Sequence, residues 1–166
     1  MMKWTNHTAM TGAITYIISG DIFAAMLSGA GATLPDAIEG KTFKPGIHRR
    51  VSHWFAPYLG LLLASVFYIL VLDAPSRGDI LSLFLSGGNS INPASIIAFS
   101  CLYIAIGALL HICEDTFCGK VPLFNPNKKE VGMSLFITGS GKEYLITALA
   151  VLGAIAFKFL KTGSII

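Results

Sequence analysis

Long apolar runs separated by shorter polar stretches divide this chain. Trp54 to Leu72 and Asn92 to Leu110 each run nineteen residues without a charge, enough for a helix to cross a hydrocarbon core of about 30 Å. Tyr144 to Leu160 predicts a third crossing, in which Lys158 snorkels its ammonium to the interface while Phe157 and Phe159 stay in lipid. An earlier apolar region, Thr8 to Leu34, is interrupted at Gly20-Asp21. It reads either as one imperfect crossing or as two short helices folded into a re-entrant hairpin. Gly12, Gly20, Gly29 and Gly31 suit close packing against other helices, and an Asp at mid-depth needs protein or water around it, so the pattern favours the hairpin. Val131 to Thr138 is apolar and β-prone but short, and reads as an interfacial hairpin or a short buried strand. The expected fold is all-α: a polytopic membrane protein with three transmembrane helices and an N-terminal helical hairpin, one domain over residues 1–166.

Composition agrees with that pattern and excludes several alternatives. The chain is 54% hydrophobic and only 13% charged, far from the roughly one-quarter charged of a typical soluble domain. A disordered chain needs more charge and a disulfide-stapled module more cysteine. The net charge is +3, and the twelve Lys and Arg are scattered rather than striped, so no nucleic-acid partner is expected. Membrane lipids are the expected surroundings. Cys101, Cys113 and Cys118 form no CxxC pair and read as inert thiols buried in apolar helices. With only Lys3 ahead of its apolar stretch, the N-terminus does not read as a cleavable signal peptide. Lys41, Lys44, Arg49 and Arg50 occupy residues 35–53, and Lys120, Lys128, Lys129 and Lys142 occupy residues 111–143, whereas residues 73–91 contain only Arg77. By the positive-inside rule the two basic loops are cytoplasmic, and two crossings separate them, so charge and topology agree.

The polar residues able to carry chemistry fall in those same two loops. His48, Arg49, Arg50, Ser52 and His53 form H-R-R-V-S-H just before the second apolar run, and His111 and Asp115 lie in H-I-C-E-D at the end of the third. An i, i+4 spacing puts His111 and Asp115 on one helical face, as two ligands of one metal require. His48 and His53, five apart, need a bent stretch to share a metal. Asp36 follows Leu34-Pro35 where the first apolar region ends. Imidazole and carboxylate without thiolate suit a divalent ion such as Zn²⁺ or Mn²⁺. Such an ion activates water and polarises a phosphoryl or acyl oxygen, which is the chemistry of hydrolysis. Arg49 and Arg50 suit an anionic group such as phosphate. Each residue alone has a plainer reading, as a headgroup contact, a topology determinant or a helix-end polar pair. The case rests on three of the four His and two Asp falling in two loops that topology brings together.

In order along the chain, His7, Leu34-Pro35-Asp36, the H-R-R-V-S-H run, and His111 to Asp115 followed by Gly119, Val121, Pro122 and Leu123 resemble the pattern of the YdjM-like membrane-bound metal-dependent hydrolases, bacterial inner-membrane proteins. The resemblance covers roughly residues 5 to 126. It implies that His7, Asp36, His48, His53, His111 and Asp115 surround one or two divalent metal ions, and that His7 lies on the cytoplasmic side, as the hairpin requires. The pattern's second acidic residue falls on Ile38, beside Glu39, and its Gly after the H-R pair is Arg50.

The expected function is metal-dependent hydrolysis at the cytoplasmic face of a bacterial inner membrane, on a phospholipid or other phosphoester. Arg49 or Arg50 would bind the anion and Glu39 or Glu114 would act as base. A non-catalytic scaffold with a structural metal, as a homo-oligomer or part of a larger assembly, is the second class. A metal or proton transporter fits less well, because the apolar runs carry almost no ionisable group between their ends. Single cysteines placed by Thr5→Cys, Lys44→Cys and Asn125→Cys in a cysteine-free background are expected to label from the same side of the membrane; position 5 alone on the opposite side rules out the hairpin.

Overall fold

The computed structural model describes residues 2–42, 52–72, 92–122 and 131–162, with the side chains of 39–42 and 162 left out. Six helices make up most of it: α1 (Trp4–Ser19), α2 (Ile22–Gly31), α3 (Leu34–Thr42), α4 (Phe55–Phe67), α5 (Pro93–Cys118) and α6 (Gly141–Thr162). A π-helical turn, Tyr68–Leu72, continues α4. The fold is all-α, with no named strand among the described residues. Three stretches are long and apolar enough to cross a membrane: Phe55–Leu72, Pro93–Cys118 and Gly141–Lys161, of 18, 26 and 21 residues.

The distribution of side chains is inverted relative to a water-soluble bundle. Leu63, Phe67, Leu145, Leu149, Leu152 and Leu160 are exposed, Leu160 at 84%, while Thr11, Thr15, Ser28, Ala24, Ala105 and Ala108 are buried. Large apolar residues gain nothing by leaving lipid, whereas small residues let helix backbones approach and hydroxyls bond across them. Thr15 and Ser28 hydroxyls meet at 2.5 Å across α1 and α2. A Cβ on Gly107 of α5 would lie 1.9 Å from the Ser28 carbonyl oxygen, and one on Gly31 of α2 would lie 2.3 Å from the Ile104 carbonyl oxygen. Only glycine permits that crossing of α2 and α5.

Helices α1 and α2 form the expected hairpin. Gly20 takes the left-handed conformation (φ 70°) that ends α1, and the Asp21 carboxylate accepts the Phe23 and Ala24 N–H groups at the start of α2. Gly12 faces Ala25 and Gly29 faces Thr8, so the two helices run antiparallel. Asp21 therefore sits at the tip of the hairpin. At the other end the Lys3 N–H donates to Glu143 of α6, and at the tip Gly20 lies against the Lys161 ammonium. The hairpin thus reaches nearly as deep as α6 and returns Asp36 to the level of His7.

Helix α5 starts where Asn92 caps Ala94 N–H with Pro93 at the first turn. It ends at Cys118, eight residues beyond the apolar run, so His111 and Asp115 lie on the helix itself. The segment from Val131 is extended; its Met133 and Leu135 N–H groups donate to the Thr116 and Phe117 carbonyls, which a helix end leaves open. A lone antiparallel bridge joins Val121 and Val131. Met133, Leu135 and Ile137 are exposed and Phe136 is buried, so the segment closes the end of α5 and is not a buried strand. Against the buried thiols expected, Cys101 and Cys118 are half-buried and Cys113 is exposed. It points away because the neighbouring His111, Glu114 and Asp115 are turned inward.

Gly107→Ala is expected to lower the thermal midpoint of the detergent-purified protein, because the forced separation of α2 and α5 costs about 1–3 kcal/mol or more. Gly60→Ala, which meets nothing within 4 Å, is the control expected to leave it unchanged.

Candidate metal centre

Three segments meet at one end of the bundle. Asp36 enters from the first turn of α3, His53 from the turn preceding α4, and His111 and Asp115 from one face of α5. Tyr58, one turn into α4, donates its hydroxyl to the Ser52 carbonyl at 2.9 Å. Ser52 Oγ lies 3.0 Å from His53 Nδ1, and the imidazole presents Nε2 to the centre. All four side chains are buried, at 3% exposure or less.

Their donor atoms form a compact group. His53 Nε2 lies 3.3 Å from His111 Nε2, 3.3 Å from Asp115 Oδ2 and 3.5 Å from Asp36 Oδ1. His111 Nε2 is 3.6 Å from Asp36 Oδ1 and 3.8 Å from Asp115 Oδ2. Donors placed about 2.1 Å from a central ion at tetrahedral corners stand roughly 3.4 Å apart, so these separations match a divalent ion. Hydrogen bonding points the same way. Among the described residues, neither oxygen of Asp36 takes part in a hydrogen bond, nor does His7 Nε2, and a buried carboxylate left so is costly. Burial disfavours charge on His53, but the facing carboxylates of Asp115 and Asp36 raise its pKa above the ordinary imidazole value. The surroundings of the group call for positive charge, and two aspartates match a divalent cation.

His7 of α1 is not among those four donors but lies against them from the hairpin. Its ring lies over that of His111, with centroids 3.9 Å apart, and its Nε2 is 3.3 Å from Asp115 Oδ1. Its Nδ1 lies 2.6 Å from Glu114 Oε2, and Glu114 Oε1 accepts the Thr11 hydroxyl at 2.9 Å. Five of the six expected metal ligands, His7, Asp36, His53, His111 and Asp115, are therefore in one place. The sixth, His48, lies outside the described residues, as do Arg49 and Arg50. Glu39 falls one turn after Asp36 on α3, and its side chain is not among those described. Ile38 is exposed, so the position two after Asp36 looks away from the centre. Of the residues expected to act as base, Glu114 has both oxygens engaged by α1.

One residue that matters here was not singled out in the sequence. Glu143 is fully buried and accepts the Lys3 N–H at 2.8 Å, the Gly139 N–H at 2.5 Å and the Asn6 amide. The spacing of Ser140 and Glu143 is that of a capping box, a signal of a helix start. What the spacing does not show is that the same carboxylate moors the first turn of α1. A second mooring is the Met2 N–H, which donates to Asp115 Oδ1 at 3.1 Å.

Glu143→Ala is expected to cost about 2–3 kcal/mol by leaving buried donors unpaired. Amide hydrogen exchange at residues 3–7 should rise while α5 keeps its protection, and metal affinity should fall because His7 loses its seat.

The chain matches no protein-family model, no curated protein and no solved structure. The case for a metal centre therefore stands on its own geometry: a buried His₂Asp₂ group, joined by His7, at one end of a helical membrane bundle.

Proposed function

We propose that this protein is a membrane-embedded, metal-dependent hydrolase acting on a phospholipid or another phosphoester at the membrane interface. The observation that carries the reading is the meeting of Asp36, His53, His111 and Asp115 at ligand spacing. The donor set supports catalysis: structural zinc sites are rich in thiolate, whereas mixed imidazole and carboxylate are the ligands of hydrolytic centres. The resemblance to the YdjM-like hydrolases supports the same reading, with the centre proposed at the cytoplasmic face of a bacterial inner membrane.

In this proposal Asp36, His53, His111 and Asp115, with His7, hold one divalent ion, Zn²⁺ or Mn²⁺. When bound, the ion supplies Lewis acidity and an acidified water. The chain's own residues do the rest. Tyr58 and Ser52 hold the turn that presents His53, and the surrounding helices keep the site dry, which strengthens every charge interaction within it. Arg49 or Arg50, four and three residues before His53, binds the phosphate, and Glu39, one turn from Asp36, serves as base.

A second reading, a scaffold with a structural metal, is favoured by one observation. The four buried donors Asp36, His53, His111 and Asp115 would by themselves fill a four-ligand site, as structural metals require. An ion taking five or six ligands keeps the site open; one restricted to four closes it. The two readings separate in one experiment. Detergent-purified wild type is expected to hold stoichiometric metal and to turn over a phospholipid or a generic phosphoester. His53→Ala and His111→Ala should each lose both, by more than the ~10–100-fold that changes behind the ligands cost. No metal in wild type under metal-replete conditions overturns the hydrolase; bound metal without turnover of any phosphoester leaves the scaffold.

A further inference from the structure

Glu114 neighbours Asp115 in the chain but contributes no atom to the group of four donors. It faces α1. One oxygen accepts the Thr11 hydroxyl at 2.9 Å and the other lies 2.6 Å from His7 Nδ1, all three side chains being buried. With Glu114 ionised, the proton in that contact is on His7 Nδ1, because a carboxylate only accepts hydrogen bonds. A neutral imidazole protonated at Nδ1 carries its lone pair on Nε2. That atom lies 3.3 Å from Asp115 Oδ1 and is in no hydrogen bond among the described residues. Asp115 Oδ1 accepts the Met2 N–H, and Asp115 reaches the four-donor group through its other oxygen, so His7 Nε2 faces a residue of that group. Thr11 and His7 are four apart on α1, so one helical face carries both the ligand and the hydroxyl that fixes its partner.

We propose that Glu114, clamped by Thr11, is a positioning residue that keeps His7 protonated at Nδ1 and turned so that Nε2 enters the metal centre as a fifth donor. This rests on the metal-centre reading above and deepens it. Because His7 arrives on the hairpin, metal loading and docking of α1 become one event. The competing arrangement is an imidazolium bridging Glu114 and Asp115 that never touches the metal.

The test uses full-length protein in detergent, stripped by chelation and titrated with Co²⁺. The visible d–d spectrum reports coordination number, and competition with a chromophoric chelator reports affinity. His7→Ala should raise the intensity of the Co²⁺ bands as five donors fall to four. Glu114→Ala should reproduce that spectrum and weaken Co²⁺ binding by about 10–100-fold. Glu114→Gln, which keeps an acceptor for Nδ1, should recover part of the loss, and Thr11→Val should move the spectrum partway. The double variant His7→Ala with Glu114→Ala should bind no more weakly than His7→Ala alone, since Glu114 acts through His7.

A wild-type spectrum in His7→Ala establishes the imidazolium bridge and overturns the proposal, as does additive loss in the double variant. Should Glu114→Ala fail to fold, Glu114→Gln and Thr11→Val decide, and wild-type spectra in both overturn the positioning role while leaving the metal centre standing. A wild type that takes up no Co²⁺ overturns both.

Discussion

Taking a carboxylate out of water costs several kcal/mol even after the surroundings relax, and this chain buries Asp36, Glu114, Asp115 and Glu143 in a bundle with an apolar exterior. The cost is offset differently at each. Glu143 is surrounded by donors from Lys3, Asn6 and Gly139, and Glu114 by Thr11 and His7. Asp36 and Asp115 face imidazoles instead. Apart from the local Gly139 contact, these pairings join segments distant in sequence, and the architecture can be understood as the means of making them. Without the hairpin, neither His7 nor Asp36 would return to the level of Asp115.

Close packing supplies the registration that such pairings need. The contact of Gly107 with Ser28 and of Gly31 with Ile104 brings the α2 and α5 backbones together, and α3 follows α2 after only a two-residue turn. Asp36 is thereby set opposite His111, one turn beyond Gly107 on α5. In lipid no hydrophobic force drives helices together, so small residues and buried hydroxyls carry the association. The buried apolar clusters are correspondingly small: Tyr58, Ala108, Ile112 and Val121 beside the centre, and Met2, Met10 and Phe136 beneath the N-terminal segment. The second cluster and the Glu143 mooring act on the same stretch, the one that seats His7. A change far from the donors can therefore alter metal affinity through α1.

Much of this was legible along the chain because membrane spans announce themselves by length and apolarity alone. The three spans, the break at Gly20-Asp21 and the pairing of His111 with Asp115 all follow from local rules: a helix period, a turn former, a run without charge. His53 was recognisable because imidazoles beside an apolar run are unusual in a chain so poor in charge. Glu143 stands three residues after Ser140, a spacing that by itself marks only a helix start, whereas its bonds to Lys3 and Asn6 exist only in the fold. The chemistry of Glu114 suits a base, and only packing shows that His7 and Thr11 of α1 engage both of its oxygens.

By itself, then, the sequence determined the class of fold, the number of long apolar helices and the kinds of side chain available to a metal. These depend on composition and short-range periodicity, which are written residue by residue. Only the tertiary structure decided which side chains share a centre, which carboxylate faces an imidazole and which faces a backbone N–H, and that the hairpin tip lies level with Lys161 at the far end of α6. Those facts depend on how closely α2 can approach α5 and on where α1 is moored. Such distances between remote segments are set by packing, and no local pattern encodes them.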